Sequence, residues 1–250
     1  AMGPLMGGVP MSWMAKWPGP HPVYVASAKG SRFTDVDGIE YVDFCLGDTG
    51  AMVGHSPDAA INAIAKQLTK GITFMLPTED AAVVGQTLSD RFGLPKWQFT
   101  LTATDANRHI LRYARHVTGR AKVVVHDYCY HGTVDETFAV LDDQGNTVSR
   151  ENNIGPQVDP AQTTIVVPFN DLDAAEKAFE TGEVAAMLIE PAMTNIGIVL
   201  PEPGYLEGLR ALCSKYDVIL IIDETHTLSE GPGGMTARRH LEPDAVVMGK

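Results

Sequence analysis

Two charged side chains stand at the ends of apolar runs in the last part of the chain. Residues 218–222 (VILII) lead to Asp223, and residues 245–248 (AVVM) lead to Gly249 and Lys250. Partial removal from water disfavours the charged form of a lysine, and the neutral amine is the form that attacks a carbonyl. Taken alone, an aspartate such as Asp223 most often caps a loop, and a lysine such as Lys250 most often lies on the surface. The functional interpretation of both therefore depends on the neighbouring loops.

Two other loops carry groups that suit a planar, anionic ligand. Thr102, Ala103 and Thr104 lie at the start of a predicted helix, whose first N–H groups favour an anion. Tyr130 follows the apolar run 122–126, where its ring could stack on a planar group. A simpler interpretation of each loop remains open. In these interpretations a threonine only caps the helix, and Tyr130 only packs against its neighbours.

Strands and helices alternate through residues 79–250 and would position these loops. Strands are predicted at 97–103, 122–127, 163–169, 184–190, 218–223 and 244–250, and helices at 79–92, 104–118, 171–180 and 204–216. Because the strands are apolar without alternation, they predict an α/β fold with a mostly parallel sheet that helices flank on both faces. Ligands of such sheets bind beyond the carboxyl ends of the strands. The residues expected to share one rim are Thr102 to Asp105, Tyr130, His131, Glu190 to Asn195, Asp223 to His226, and Lys250.

The first 70 residues have a different character. Residues 1–20, rich in Gly, Pro, Met and Trp, are predicted to form an irregular arm, and the alternation in 23–44 predicts a hairpin or small β-meander. A helix should follow, with Ser56 as N-cap, Pro57 at its first position and a stop at Gly71. We therefore predict an arm, meander and helix in residues 1–70 and a larger domain in residues 71–250.

Composition excludes several classes of protein. The chain has 250 residues, 44% of them hydrophobic, and a formal net charge of −12. Phosphate backbones require clustered lysines and arginines, so no nucleic-acid partner is expected. No apolar run approaches the roughly 20 residues that span a bilayer, so no membrane partner is expected either. Three widely spaced cysteines, Cys45, Cys129 and Cys213, form neither a disulfide framework nor a CxxC pair, which indicates a cytoplasmic location.

A lysine, a carboxylate, an aromatic ring and an anion site on one rim are the groups that pyridoxal 5′-phosphate (PLP) requires. Its aldehyde reacts with a lysine, its pyridine nitrogen pairs with a carboxylate, and its phosphate suits a helix N-terminus. Two alternatives from other classes remain: a metal site made from His131, Asp223 and His226, and a non-catalytic binding protein. The close spacing typical of metal-binding histidines is absent, so no metal is expected.

The order of several short motifs resembles one known family. The motifs, which cover nearly the whole chain, are DVDGIEYVDF, TATDA, HVTGRAKVVV, CYHG, LIEPAMTNIGIVLPEPGYLEGLR, IIDETHT and PDAVVMGK. They are similar to motifs of the class III (fold type I) PLP-dependent aminotransferases, most closely of the branch that contains glutamate-1-semialdehyde aminomutase. The resemblance implies a fold type I PLP-transferase, residues 71–250 as its PLP-binding large domain, and a homodimer.

The resemblance also implies a role for each rim residue. Lys250 would form the Schiff base and move the proton of the substrate carbon, while Asp223 would keep the pyridine ring protonated. The other cofactor contacts would be Thr102, Ala103 and Thr104 at the phosphate, Tyr130 on one ring face, Thr225 under the ring, Asn195 near the 3′ oxygen, and His131. Glu190 would order the loop beneath the cofactor. A catalytic and a structural role for His131 both remain open.

Three positions depart from the family pattern. Ala103 stands where the family has a glycine, and Thr225 where it has a branched apolar residue. Met14 falls near the arginine that holds the substrate carboxylate in the aminomutase branch, which removes a bidentate clamp. Either the acid group of the substrate binds elsewhere or the enzyme uses a different amine, so we do not expect the aminomutase itself. The candidate substrate residues are Trp13, Met14, Trp17, Asp48 and His226.

The predicted activity is transfer of an amino group from an amine or amino acid to a keto acid through Lys250. Aminomutase, racemase and ammonia-lyase chemistry on the same scaffold remain alternatives, because the same site serves each of them. Relatives of this family continue well past the lysine, so we expect the chain to be the front part of a longer polypeptide.

Overall fold

The computed structural model describes residues 3–16 and 19–250, and the chain divides into two compact units, Ala1–Leu76 and Pro77–Lys250. The elements of the first unit are two short 3₁₀ helices (Met6–Gly8 and Ser12–Lys16), β1 (Val25–Lys29), β2 (Arg32–Asp35), β3 (Glu40–Val42) and α1 (Asp58–Leu68). The three strands form an antiparallel meander in the order β1-β2-β3, which the alternation predicted. Asp35 closes the turn between β2 and β3, because its Oδ1 accepts the N–H groups of Asp37 and Ile39.

The start that the sequence predicts for α1 is wrong by one residue. Pro57, not Ser56, is the N-cap, and the Ser56 hydroxyl donates to the carbonyl of Ala28 over 2.9 Å. The neighbouring residue explains this, since His55 pairs with Gly30 of the meander and thereby holds Ser56 against β1. The helix also ends at Leu68, before the predicted stop at Gly71.

The second unit is built on a five-stranded sheet. Its elements are α2 (Glu79–Phe92), α3 (Ala103–Thr118), β4 (Lys122–His126), β5 (Ala139–Leu141), β6 (Thr147–Ser149), β7 (Thr164–Val167), α4 (Leu172–Glu180), β8 (Val184–Ile189), α5 (Tyr205–Lys215), β9 (Ile219–Asp223), α6 (Gly234–Arg238) and β10 (Ala245–Val247). The large sheet has the order β10-β9-β8-β4-β7, and every pair in it is parallel. The short hairpin of β5 and β6 was not predicted.

Both faces of the large sheet are buried, as its apolar runs predict. Along β8, Met187 and Ile189 pack into a core with α4 and α5, whereas Ala186 and Leu188 pack into a second core with α3. All six residues of β8 are buried. A central strand covered on both sides has no polar face, and this is why its sequence does not alternate.

The predicted strand at 97–103 is wrong. Residues 97–100 form no regular element, and α3 already begins at Ala103. A strand requires a hydrogen-bonded neighbour. Among the described residues, β10 at the sheet edge pairs with β9 alone, and no strand pairs with the segment 97–103. Apolar composition was therefore insufficient to predict a strand here.

None of the helices in the described ranges combines the length and the apolar character that crossing a membrane requires.

Candidate active site

The strand register brings the ends of the central strands to one rim. Ile189 lies beside Ile222, and Asp223 lies beside Val247. Glu190, which follows Ile189, therefore emerges level with Asp223. The predicted meeting of these loops at the carboxyl edge of the sheet agrees with the geometry.

Asp223 is held by three hydrogen bonds and is only 3% exposed. Its Oδ2 accepts from Nδ1 of His131 and from Nδ2 of Asn107, both over 2.9 Å, and its Oδ1 accepts from the backbone N–H of Thr225 over 3.0 Å. Three different segments of the chain supply these donors. The position of the carboxylate is therefore set by the tertiary structure.

These contacts keep the Asp223 carboxylate ionised in a buried place. Burial raises the pKa of Asp223, but the hydrogen bond and charge of His131, with the bonds from Thr225 and Asn107, outweigh it, so the pKa is lowered overall. Burial likewise lowers the pKa of His131, but interactions with Cys129 and with the Asp223 carboxylate raise it to about 10. The two side chains thus form a buried ion pair.

Asn107 was missed in the sequence, although its position carried a signal. The buried residues of α3 are Asn107, Leu111 and Ala114, at the i, i+4 and i+7 spacing of one helix face. A polar side chain in the core-facing position of a helix needs a buried partner. Here the partners are Asp223 and the carbonyl of His131, which accepts from the same Nδ2 over 3.2 Å.

The start of α3 is capped by Thr102. The Thr102 Oγ1 accepts the N–H of Asp105 over 3.1 Å and donates to the Asp105 carboxylate over 2.9 Å. The plain helix-cap interpretation of Thr102 therefore describes its contacts within the chain. Thr104, the second residue of the helix, accepts the N–H of Thr133 at its Oγ1 over 3.1 Å.

Two glycines let the loops approach α3 closely. A Cβ at Gly132 would lie 2.1 Å from Oγ1 of Thr104, and Gly132 has a φ of +77°. A Cβ at Gly249 would lie 2.9 Å from Cβ of Ala103. Lys250, the next residue, is exposed, and it borders a cleft of about 720 Å³ lined mainly by residues 94–103 and 244–250. The lysine is thus next to the first turn of α3.

A second hydrogen-bonded group lies on the same rim around Glu190. Its Oε1 accepts the N–H of Tyr130 over 3.1 Å, and its Oε2 accepts the hydroxyl of Thr194 over 2.6 Å. The Thr194 oxygen is 2.8 Å from Nδ1 of His226, and the rings of His226 and Tyr130 are stacked with centroids 6.3 Å apart. The exposed Asn195 donates to the carbonyl of Tyr128 over 3.1 Å. Tyr130 is 42% exposed, so its ring is open to a ligand.

Glu224, also missed in the sequence, anchors the loop after Asp223. Its buried carboxylate accepts from the Thr227 hydroxyl, from the N–H of Met235, and from the N–H and hydroxyl of Thr236. The Gly-rich run at 231–234 lies in this loop and leads into α6. Thr225 and His226 are therefore carried by a loop that is fastened at both ends.

The remaining substrate candidates lie in the first unit, which is described by itself. Trp13 and Met14 are in the short helix Ser12–Lys16, where the Trp13 Nε1 donates to Sδ of Met11 over 3.3 Å. Asp48 is exposed, with a φ of +55°. Trp17 lies outside the described residues.

The metal alternative receives no geometric support within the described residues. They contain no group of three or more His, Cys, Asp or Glu side chains arranged to hold a metal ion. Two of its three members, His131 and Asp223, are bonded to each other, whereas His226 contacts Thr194.

Comparison with known proteins decides the family. The model of the aminotransferase class-III family matches residues 13–250. The chain belongs to the class-III aminotransferase family. This family is PLP-dependent, so the predicted cofactor class and the predicted family are confirmed.

The similar proteins carry two kinds of name. A glutamate-1-semialdehyde 2,1-aminomutase of Anaeromyxobacter dehalogenans is 34% identical over 92% of this chain and 54% of its own length. A solved glutamate-1-semialdehyde aminomutase of Pseudomonas aeruginosa PAO1 is 53% identical, with a TM-score of 0.94 over 97% of this chain and 53% of that chain. A lysine-to-alanine variant from the same source was solved in complex with PMP. An omega-transaminase of Sphaerobacter thermophilus is 32% identical, with a TM-score of 0.90 over 98% of this chain and 58% of that chain.

These likenesses confirm the predicted fold type I PLP-transferase architecture, with its parallel sheet flanked by helices. The chain spans about half the length of the relatives that it matches.

Proposed function

We propose that the complete protein is a PLP-dependent aminotransferase, which moves an amino group from an amine or amino acid to a keto acid. The observation that carries this proposal is the buried, ionised carboxylate of Asp223 at the rim, on the same edge as Lys250. Such a carboxylate favours a protonated ring nitrogen, because an opposite charge nearby stabilises the charged form.

The unused hydrogen-bonding capacity around Asp223 fits a polar ring. Its Oδ1 accepts one hydrogen bond, from Thr225, and a carboxylate oxygen can accept two. The buried Oγ1 of Thr225 and Nε2 of His131 make no hydrogen bond of ordinary geometry within the described residues, although Thr225 interacts with Asp223 and the His131 ring interacts with Cys129. Buried polar groups are normally satisfied, so this cluster supports a ligand that completes it.

The start of α3 supports a phosphate contact. The first N–H groups of a helix, here those of Ala103 and Thr104, have no partner inside the helix and favour an anion. The negative charge of Asp105 in the same turn opposes this, but its carboxylate accepts the Thr102 hydroxyl. The contact of Gly249 with Ala103 keeps Lys250 beside this turn.

The residues of the rim then have distinct roles. PLP, when bound, supplies an electron-accepting ring that makes the C–H beside the substrate amino group acidic. Lys250 would take and return that proton, Asp223 would keep a proton on the ring nitrogen, and Tyr130 would cover a ring face. Asn195 would contribute an amide near the 3′ oxygen, and Glu190 would order the loop that carries it.

The remaining predictions belong to the same proposal. The substrates are a small amine or amino acid and a keto acid, and the substrate contacts come from Trp13, Met14, Asp48 and His226. The protein acts as a homodimer in the cytoplasm, with residues 1–70 as part of the smaller domain and 71–250 as the PLP-binding domain.

The test is the visible absorbance of the complete protein with PLP, before and after a candidate amine is added without a keto acid. Wild type and Lys177→Ala, an exposed lysine on α4, should show a lysine-bound band that the amine converts to the pyridoxamine form. Lys250→Ala should lack the lysine-bound band. Absence of any cofactor band in the wild type would overturn the proposal.

An aminomutase is the second candidate, because the solved relative at 53% identity carries that name. An ¹⁵N-labelled amino compound mixed with an unlabelled keto acid separates the two. An aminotransferase moves the label to the product of the keto acid, whereas an aminomutase leaves it on the original carbon skeleton. The substitution of Met14 for the expected arginine favours the first outcome.

A further inference from the structure

A chain of hydrogen bonds determines which ring nitrogen of His226 carries a proton. Burial raises the pKa of Glu190, but its contacts with His226, His131, Thr194 and Tyr130 lower it overall, so its side chain is a carboxylate and can only accept. The Thr194 hydroxyl has one hydrogen and gives it to Glu190 Oε2, 2.6 Å away. Its oxygen must therefore accept from Nδ1 of His226, at 2.8 Å.

The neutral imidazole of His226 consequently has its hydrogen on Nδ1 and a free electron pair on Nε2. Within the described residues Nε2 has no hydrogen-bond partner, and the side chain is 18% exposed. The ring is stacked on Tyr130 at an interplanar angle of 24°. Its loop is fastened by Glu224, so the imidazole is held in place before any ligand arrives.

We propose that His226 is the proton acceptor for the incoming amino substrate. This inference rests on the proposed function, since amines are mostly ammonium ions at neutral pH and must lose a proton before they attack an electrophilic carbon. The ammonium N–H bond breaks, its proton bonds to Nε2, and the electron pair stays on the amine. The products are the neutral amine and an imidazolium, so charge and atoms balance.

Glu190 and Thr194 would stabilise this imidazolium. Nδ1 of His226 is 3.8 Å from Oε2 of Glu190, and Thr194 bridges the two groups. The hydrogen bond at one ring nitrogen of a histidine sets its tautomer, so the bond from Nδ1 to Thr194 leaves Nε2 as the nitrogen that accepts a proton. Thr194 is a positioning residue in this arrangement, because it acts through His226.

The first test needs no cofactor. The complete protein without PLP is labelled with ¹⁵N-histidine, and long-range ¹H–¹⁵N NMR correlations report the tautomer, with His226→Gln assigning the signal. We expect the Nδ1–H form in the wild type and in Thr118→Val, which removes a part-buried hydroxyl at the end of α3 that donates to the carbonyl of Ala114 and accepts the N–H of Arg120. Thr194→Val should lose this preference. A wild-type Nε2–H form, or no effect of Thr194→Val, would overturn the inference.

The second test follows the first turnover of the protein loaded with PLP. His226→Gln should slow consumption of a substrate amine by about 10²- to 10⁴-fold at neutral pH, the usual range for a lost general base. Hydroxylamine, which is uncharged at neutral pH, should react equally fast with wild type and variant. Equal slowing of both nucleophiles, or of neither, would overturn the role of His226. Failure of the wild type to bind PLP would instead overturn the proposed function and leave the tautomer result intact.

Discussion

Asn107 donates from Nδ2 to Oδ2 of Asp223 over 2.9 Å, although 116 positions separate the two residues. The same amide nitrogen donates to the carbonyl of His131. One buried side chain thereby joins the helix after the predicted anion site, the carboxylate at the end of β9 and the loop after β4. The position of the carboxylate therefore depends on a residue that none of the sequence motifs includes.

Replacement of Asn107 by alanine should reduce the free energy of unfolding by about 1.5–3 kcal/mol, because hydrogen bonds to charged groups contribute that much. Urea unfolding at neutral pH measures the change. Asn62→Ala, on the exposed surface of α1, is the control and should change stability by less than about 0.5 kcal/mol. Equal effects of the two variants would show that the contact to Asp223 contributes nothing.

The ion pair of His131 and Asp223 predicts a pH-dependent stability. The pKa of His131 is raised from 6.5 to about 10, so its stabilisation is complete below pH 6.5 and is lost as the pH rises through 10. The pKa of Asp223 is lowered, so its contribution is present above 3.8 and is lost as the pH falls through the folded-state pKa. His131→Gln should lower the free energy of unfolding by about 3–5 kcal/mol near pH 6, because it leaves the buried Asp223 carboxylate without its charged partner. This loss should become smaller as the pH approaches 10.

His126 provides a matched control for this pH profile. It is also fully buried, and its Nε2 is 2.7 Å from the hydroxyl of Tyr205. Burial and the charge of His131 lower the pKa of His126 to about 3, so it stays neutral in the folded protein. His126→Gln should therefore lower the free energy of unfolding by the same amount at every pH above 6.5. Parallel profiles for the two variants in urea unfolding from pH 6 to pH 10 would contradict the ion pair.

The close approach of Gly132 to Thr104 predicts a large effect of one added methyl group. Placing a non-glycine residue in the left-handed backbone region costs roughly 1–2 kcal/mol. Gly132→Ala should lower the free energy of unfolding by more than this, because its Cβ would lie 2.1 Å from Oγ1 of Thr104. Gly93→Ala is the control, with a φ of +71° and no atom within 4 Å of its Cβ. Thermal or urea unfolding compares the two, and equal losses would exclude a steric role for the contact.

A double variant separates the clash from backbone strain. Thr104→Ala removes the Oγ1 atom, so Gly132→Ala should cost less in that background, with a coupling energy of about 0.5–3 kcal/mol. Additive effects would mean that the loop moves away from α3 without penalty.

Much of the large domain followed from local sequence patterns. The run VAAMLI is apolar at every position, which predicted a strand covered on both faces, and β8 is such a strand. The helix at 79–92 was predicted with its final bounds, and in the structure acidic residues lie in its first turn and Gly93 follows its end. The segment 97–103 failed because a strand depends on a neighbour, and composition does not report whether a neighbour exists.

The rim could be predicted only as a set of loops. Asp223, His131, Tyr130 and Lys250 were identified because each follows an apolar run, and the carboxyl ends of parallel strands share one edge. Which of these side chains contact one another could not be predicted, because each hydrogen bond joins residues that are far apart in the sequence. His131 and Asp223 are 92 positions apart, and the sequence between them contains no pattern that sets a 2.9 Å contact.

The sequence by itself determined the family, the parallel sheet and the residue types on its rim, because periodicity and short motifs act over a few neighbouring residues. The tertiary structure decided which partners those residues have. It placed Asn107 and His131 on Asp223, ordered Glu190, Thr194 and His226 into one line of hydrogen bonds, and brought Gly249 against Ala103. Such contacts depend on how helices pack on the sheet, which is a property of the whole folded chain and is encoded in no single segment.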